Sequence, residues 1–351
     1  MEHELVILHA GGPGRPEGRL GETLRAALAG LSFRFAEEGE PLENRRLLFA
    51  FSIPEDGVNV PLHRLLGRLR SHPGGLRGSV GGVVMDGAGD LYTKAAGREL
   101  ILAASLAGCA FPGRPLAEAT GGLQNFTVQA RNGGCDLETA YRRAVRELAE
   151  RVLAFTPPRR ERPRVLALHA SSRATSNTLD LWGRVRERIE ASCAVREIGL
   201  RNGTLEDCAG CPYTTCLHFG EQGGCFYGGV MVQEVFPALR EADAVVLLCP
   251  NYNDALSANL TAAVNRLTAL YRTASFENKA VFALVVSGYS GGDIVASQVV
   301  SALCVNKGFR LPPGAILMET ANDAGAALRL PGIEKRLEAF AENLLFQIKA
   351  P

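Results

Sequence analysis

Short apolar runs rich in Val, Ile, Leu and Phe alternate along this chain with longer stretches whose apolar residues recur every three or four positions. In the C-terminal part the runs fall at 164–169, 195–200, 244–249, 279–286 and 314–319, and each is followed by helical spacing. Leu256, Leu260, Val264 and Leu267 form one such stripe, and Ile333, Leu337, Phe340, Leu344 and Ile348 another. Unbroken apolar strands separated by amphipathic helices predict a parallel sheet covered on both faces. The N-terminal part follows the same plan, with predicted strands at 5–9, 31–36, 47–52, 80–85 and 115–120.

The two parts also repeat in sequence. Leu5–Ala10 (LVILHA) matches Val165–Ala170 (VLALHA), and later Gly108, Pro112 and Thr120 match Gly308, Pro312 and Thr320. Gly67-Arg68-Leu69 falls near Asn265-Arg266-Leu267. The offset grows between the first and last matches, so the second copy carries extra residues in its middle. An internal duplication is expected: one domain over 1–154, a Pro/Arg-rich linker over 155–163, and a second domain over 164–351.

Composition narrows the class. With 46% hydrophobic and 21% charged residues the 351-residue chain reads as packed and globular. Lys plus Arg (38) nearly cancels Asp plus Glu (37), which gives no basis for a nucleic acid or anionic membrane partner. Met1-Glu2-His3-Glu4 is acidic where an export signal is basic, and no apolar run reaches the roughly 20 residues a membrane span needs. A soluble, cytoplasmic protein is expected. Nine cysteines in such a chain read as free thiols, ligands or redox groups rather than disulfides.

In open parallel sheets, ligands sit at the carboxyl ends of the strands, where strand order switches. After the first strand of the second copy come Ser171, Arg173, Ser176, Asn177 and Thr178, directly before an apolar helix. Hydroxyls and free backbone N–H groups at a helix N-terminus form a phosphate cradle, and Arg173 adds a charge-assisted donor. A plain helix cap would need only Ser176 or Asn177. The third strand is followed by Pro250-Asn251-Tyr252-Asn253, and the fourth by Ser287-Gly288-Tyr289-Ser290-Gly291-Gly292, whose glycines let backbone approach a flat ligand.

Residues 170–178 resemble the G-S-x-R-x-x-S-N-T phosphate loop of the NADPH-dependent FMN reductase family, flavodoxin-like proteins that include iron–sulfur flavoproteins. Ala170 replaces the family glycine. Pro250–Tyr252 is similar to the family's P-x-Y loop along the flavin ring, while Thr261 and Asn265 depart from the usual Lys and Asp. The resemblance implies two tandem flavodoxin-like, doubly wound α/β domains with parallel five-stranded sheets. It implies FMN as cofactor and NAD(P)H as electron donor, with Ser171, Arg173, Ser176, Asn177, Thr178, Pro250, Asn251, Tyr252, Asn253, Ser287, Gly288, Tyr289, Gly291 and Gly292 at the flavin. Hydride passes to the flavin itself, so no catalytic acid or base is expected. The first copy has Gly11–Gly18 without a hydroxyl and Asp86 and Asp90 in its later loop, and reads as degenerate. Flavin reductases of this fold commonly dimerise with FMN near the interface. The first copy is therefore expected to act as an internal pseudo-partner, with or without a further homo-oligomer.

The extra residues of the second copy, about 204–229, hold Cys208, Cys211, Cys216 and Cys225. Closely spaced thiolates suit a [4Fe–4S] cluster, and iron–sulfur flavoproteins carry a compact cysteine motif in the same place, with shorter gaps. Zinc and four reduced thiols without metal are the alternatives. The resulting expectation is an FMN-dependent NAD(P)H oxidoreductase passing electrons to a quinone, flavin, other small-molecule or protein acceptor. The alternative is an electron-transfer module without a small-molecule substrate of its own.

Overall fold

The computed structural model describes residues 4–9, 16–37, 39–171 and 176–351. The chain divides into two compact units, Met1–Thr156 and Pro157–Pro351. The N-terminal unit holds β1 (Leu5–His9), β2 (Phe33–Phe35), β3 (Arg46–Ile53), β4 (Val80–Gly87) and β5 (Leu116–Ala119), all parallel, in the order β2-β1-β3-β4-β5. The C-terminal unit holds β6 (Arg164–His169), β7 (Ala194–Gly199), β8 (Ala244–Pro250), β9 (Ala280–Ser287) and β10 (Ile316–Thr320). These pair in parallel as β10-β9-β8-β6-β7, the same order within the second set. Every predicted strand is therefore present, and the chain is an α/β protein with two doubly wound five-stranded sheets.

The central strands β3, β4, β8 and β9 are buried along almost their whole length because helices cover both faces, which is why they read as continuous apolar runs. In the N-terminal unit one face carries helices Gly18–Ala27 and Leu137–Ala154, packed through Leu24, Val145 and Leu148 onto Leu5, Ile7 and Leu48. In the C-terminal unit the last helix, Ile333–Ile348, buries the predicted Ile333, Leu337, Phe340, Leu344 and Ile348.

The duplication extends to single hydrogen bonds. Val80 bridges Ala110 in the first unit and Ala280 bridges Arg310 in the second, 200 residues later. Gly81 N–H donates to Ala110 O and Val281 N–H to Arg310 O, and Gly108 and Gly308 both take positive φ just before these bridges. Between β7 and β8 the second unit carries the insert and a helical stretch, Met231–Glu241, whose first turn is π-helical. Among the described residues between β2 and β3 the first unit has neither.

The segment expected as a linker is fastened to the C-terminal unit. Arg160 N–H donates to Ile348 O at 2.8 Å, Ala350 N–H donates to Arg160 O at 2.8 Å, and the Arg159 guanidinium lies over the Phe346 ring. Among the described residues no helix is long and apolar enough to cross a membrane.

Candidate functional site

In the C-terminal unit β6 lies between β7 and β8, and the chain reverses its direction of winding there. The loops after β6, β8 and β9 all emerge at the carboxyl edge on or beside this switch point. Ser176 is the extended residue before helix Asn177–Ile189. Its side chain makes no cap bond and instead meets Thr178 Oγ1 at 2.8 Å. Thr178 is buried. Asn177 reaches across the edge: its Nδ2 donates to Ala321 O and Asp323 O, and its Oδ1 accepts from Ala327 N–H. This amide ties the helix start to the loop after β10. Arg173 lies outside the described residues, as do Ser172, Ala174 and Thr175.

The loop after β8 is held from below by Asn251. Its backbone N–H donates to Val286 O, and its Nδ2 faces Ser290 O at 2.9 Å, Asp254 Oδ1 at 3.1 Å and Ser287 Oγ at 3.3 Å. One amide thereby joins the β8 and β9 loops. Asn253 and Asp254 both have positive φ, a conformation that short polar side chains tolerate best. Tyr252 closes the turn with paired backbone bonds to Ala255 and leaves its ring 57% exposed. In the β9 loop Gly291 has φ +82°, and a Cβ there would stand 1.9 Å from Asp254 Oδ1. Only glycine fits at that junction. Tyr289 beside it is 82% exposed. Ser287 is buried and Gly292 begins the next helix.

Between the β6 and β8 loops lies a cleft of about 400 Å³, lined by Ala170, Ser171, Asn202, Tyr252, Ser257 and Asn259. Ser257 is 7% exposed and precedes helix Ala258–Tyr271, yet its Oγ has no hydrogen-bond partner among the described residues. Asn251 Oδ1 is likewise buried without a partner. Leaving such a group unmet costs about 1–3 kcal/mol, so the two atoms point to a ligand in or beside this cleft. Asn259 Nδ2 donates to Leu200 O at 2.7 Å and Asn202 Oδ1 at 3.0 Å, fixing the chain as it leaves β7. Sequence reasoning did not single out Asn202, Ser257 or Asn259. Ser257 was visible only as a helix-start residue, which conceals that its hydroxyl caps nothing.

Behind the cleft, His169 at the end of β6 lies 3.6 Å from Glu197, which also accepts from Trp182 Nε1 at 2.8 Å. Burial lowers the His169 pKa below the usual imidazole value, against the opposing pull of Glu197 and the Ser171 backbone.

The four cysteines of the insert come together. Cys208, Cys211, Cys216 and Cys225 line one cavity of about 200 Å³, walled by Phe219 and Phe226. Among the described residues no three His, Cys, Asp or Glu side chains converge on a single ion position. Arg266, 2% exposed, donates to Glu206 O at 3.3 Å and Gly228 O at 2.8 Å, joining the two ends of the insert. Lys307 bonds Thr268 Oγ1; burial and Arg272 lower its pKa, while Cys208 and Cys216 act in the opposite direction. His218 pairs with Gln222 Nε2 at 3.1 Å.

The matching edge of the N-terminal unit is differently built. Arg19 donates to both oxygens of the 7%-exposed Asp86, to Gly87 O and Thr120 O, and to Gly121 O at 2.6 Å. Side chains of the unit itself thus engage the acceptors at the ends of β4 and β5. Residues 10–15 of the matching first loop lie outside the described residues.

Residues 163–323 match the family model for NADPH-dependent FMN reductase, and this segment is a flavodoxin-like domain of that family. No curated protein matches the chain. Among solved structures, the chain is similar to an NAD(P)H:quinone oxidoreductase from Methanothermobacter marburgensis at 15% identity and TM-score 0.41, covering 52% of this chain and 97% of that one. It is also similar to an azoreductase from Bacillus anthracis str. Sterne at 16% identity and TM-score 0.37, covering 51% and 97%.

Proposed function

We propose that the C-terminal unit binds FMN in the cleft at the β6/β8 switch point and works as an NAD(P)H oxidoreductase. The acceptor would be a quinone, a flavin, another small molecule or a protein. The observation that carries this reading is the buried, unpartnered Ser257 Oγ lining a cleft between the β6 loop and the turn that presents Tyr252. The residues fit a flavin phosphate with a flat ring: a helix N-terminus with Ser176 and Thr178 at one side, and glycine-bearing loops with exposed Tyr252 and Tyr289 at the other.

When bound, FMN supplies hydride acceptance from a nicotinamide and release of electrons singly or in pairs. The chain's own work is binding and exclusion. Ser171, Arg173, Ser176 and Thr178 hold the phosphate, helped by the positive end of helix Asn177–Ile189. Asn177, through loop 321–327, and Asn251, through Ser287 and Ser290, hold the surrounding loops in place. Pro250, Asn253, Gly288, Gly291 and Gly292 shape backbone that would lie along the ring of a bound flavin.

The shared cavity of Cys208, Cys211, Cys216 and Cys225 favours a [4Fe–4S] cluster in the insert, and with it delivery of single electrons to a partner protein. The cationic neighbours Arg266, Arg272 and Lys307 suit a cluster of net negative charge. A visible spectrum of protein purified without oxygen, with iron and zinc assayed on the same sample, tests both parts. Flavin bands that bleach with NADH or NADPH, together with iron, are the expected result. Flavin without iron would remove the cluster, and a colourless protein that takes up no added FMN would remove the flavin assignment.

A further inference from the structure

The face of the N-terminal sheet around β1 lacks the helix that covers its counterpart. In the C-terminal unit Leu168 of β6 is 4% exposed, and it packs with Val235 and Leu239 from the Met231–Glu241 stretch. Leu8 stands at the matching place in β1 and is only half-buried; the described residues between β2 and β3 form no helix. The result is a groove of about 540 Å³ between that crossing segment and helix Val60–Ser71. This volume lies within the ~300–1,000 Å³ typical of small-molecule sites.

The groove has an apolar floor and a charged rim. Leu8, Phe51, Leu65 and Leu69 line the floor. Arg64 and Arg68, one helical turn apart, stand on the rim, and neither has an acidic partner among the described residues. Glu40 is already neutralised by Arg34 at 2.8 Å, and Glu37 is the other acid lining the groove among the described residues. Two guanidinium groups without an acidic partner among the described residues, above a floor in which Leu8 and Leu65 are half-buried, match a molecule with an acidic head and an apolar body.

We infer that the N-terminal unit carries a second ligand site, for an amphipathic anion such as a medium-chain carboxylate, held by Arg64 and Arg68 over the bare face beside β1. It is independent of the flavin cleft, so the inference stands or falls apart from the proposed oxidoreductase activity.

Isothermal titration of the protein as purified with decanoate and with decanol tests it. Saturable binding of one decanoate per chain is expected, weakened at least tenfold in the double variant Arg64→Gln/Arg68→Gln and comparably weaker for the uncharged decanol. Both arginines are exposed, so the variant should fold, and an unchanged thermal midpoint confirms this. Absence of saturable decanoate binding, or equal affinity in the double variant, would overturn the inference. So would loss of binding in Ser257→Leu with retention in the arginine variant, since that places the ligand in the flavin cleft.

Discussion

The two units wind five strands in one order and repeat the same bridge 200 residues apart, yet their edges meet solvent differently. In the first, Arg19 spends its donors on Asp86 and on the backbone ends of β4 and β5, so these acceptors are met from within the unit. In the second, Ser257 and Asn251 present buried oxygen atoms with no hydrogen-bond partner among the described residues. The same sheet can therefore be made self-sufficient or left in need of a ligand by a few side chains, with no change in topology. A parallel contrast holds on the faces, where a helix and a cysteine insert occupy in one unit what is a bare groove in the other.

The sharpest way to break this comparison is through the insert. Replacing Cys208 and Cys225 together by Ser should take iron in anaerobically purified protein to background while leaving flavin content intact; retained iron would place the metal elsewhere. Next comes flavin stoichiometry. One FMN per chain is expected, and Ser257→Leu, which fills the cleft, should weaken FMN about 100-fold in fluorescence titrations. Two FMN per chain would mean that the units do not differ as described. Asp86→Ala, which strands Arg19 in a partly buried site, should cost about 2–3 kcal/mol in urea unfolding with flavin content unchanged. A paired glycine test is smaller. Gly291→Ala, strained at φ +82° and pressed on Asp254, should cost about 2 kcal/mol, whereas Gly89→Ala, whose Cβ would approach only Glu55 Cγ at 3.9 Å, should stay within about 0.5 kcal/mol. The smallest effect concerns pH. Because burial lowers the folded-state pKa of His169, the unfolded chain binds its proton first as pH falls. Stability from this group is complete above the ordinary imidazole pKa and declines below it. His169→Gln should flatten the fall in urea midpoint between about pH 7 and 5.5.

The fold was legible because each unit is built from local signals. Buried parallel strands leave continuous apolar runs, helices leave stripes, and the duplication left matched residues at both ends. Much of the candidate site was legible for the same reason: Ser176, Asn251 and Gly291 sit in loops that follow strands, and Thr178 in the first turn of the helix behind one. What stayed hidden depends on long-range meetings. Arg19 and Asp86 are 67 positions apart, and Asn177 meets a loop some 150 residues later. The helix before β8 follows from the helical spacing, but nothing local signals that its opening turn is π-helical. The 155–163 segment reads as a connector from its prolines and arginines. Its tie to Lys349 and Ile348 needs the far end of the chain and has no local sign.

Arg266 carries one last implication. A single planar guanidinium that bonds Glu206 O and Gly228 O holds the two stems of the cysteine loop within about 8 Å of each other. A loop whose stems are that close behaves as a cassette: it can be shortened, exchanged or removed at its neck while the strands on either side keep their register. The N-terminal unit, whose strands follow the same order, shows how such a sheet stands without that module among its described residues.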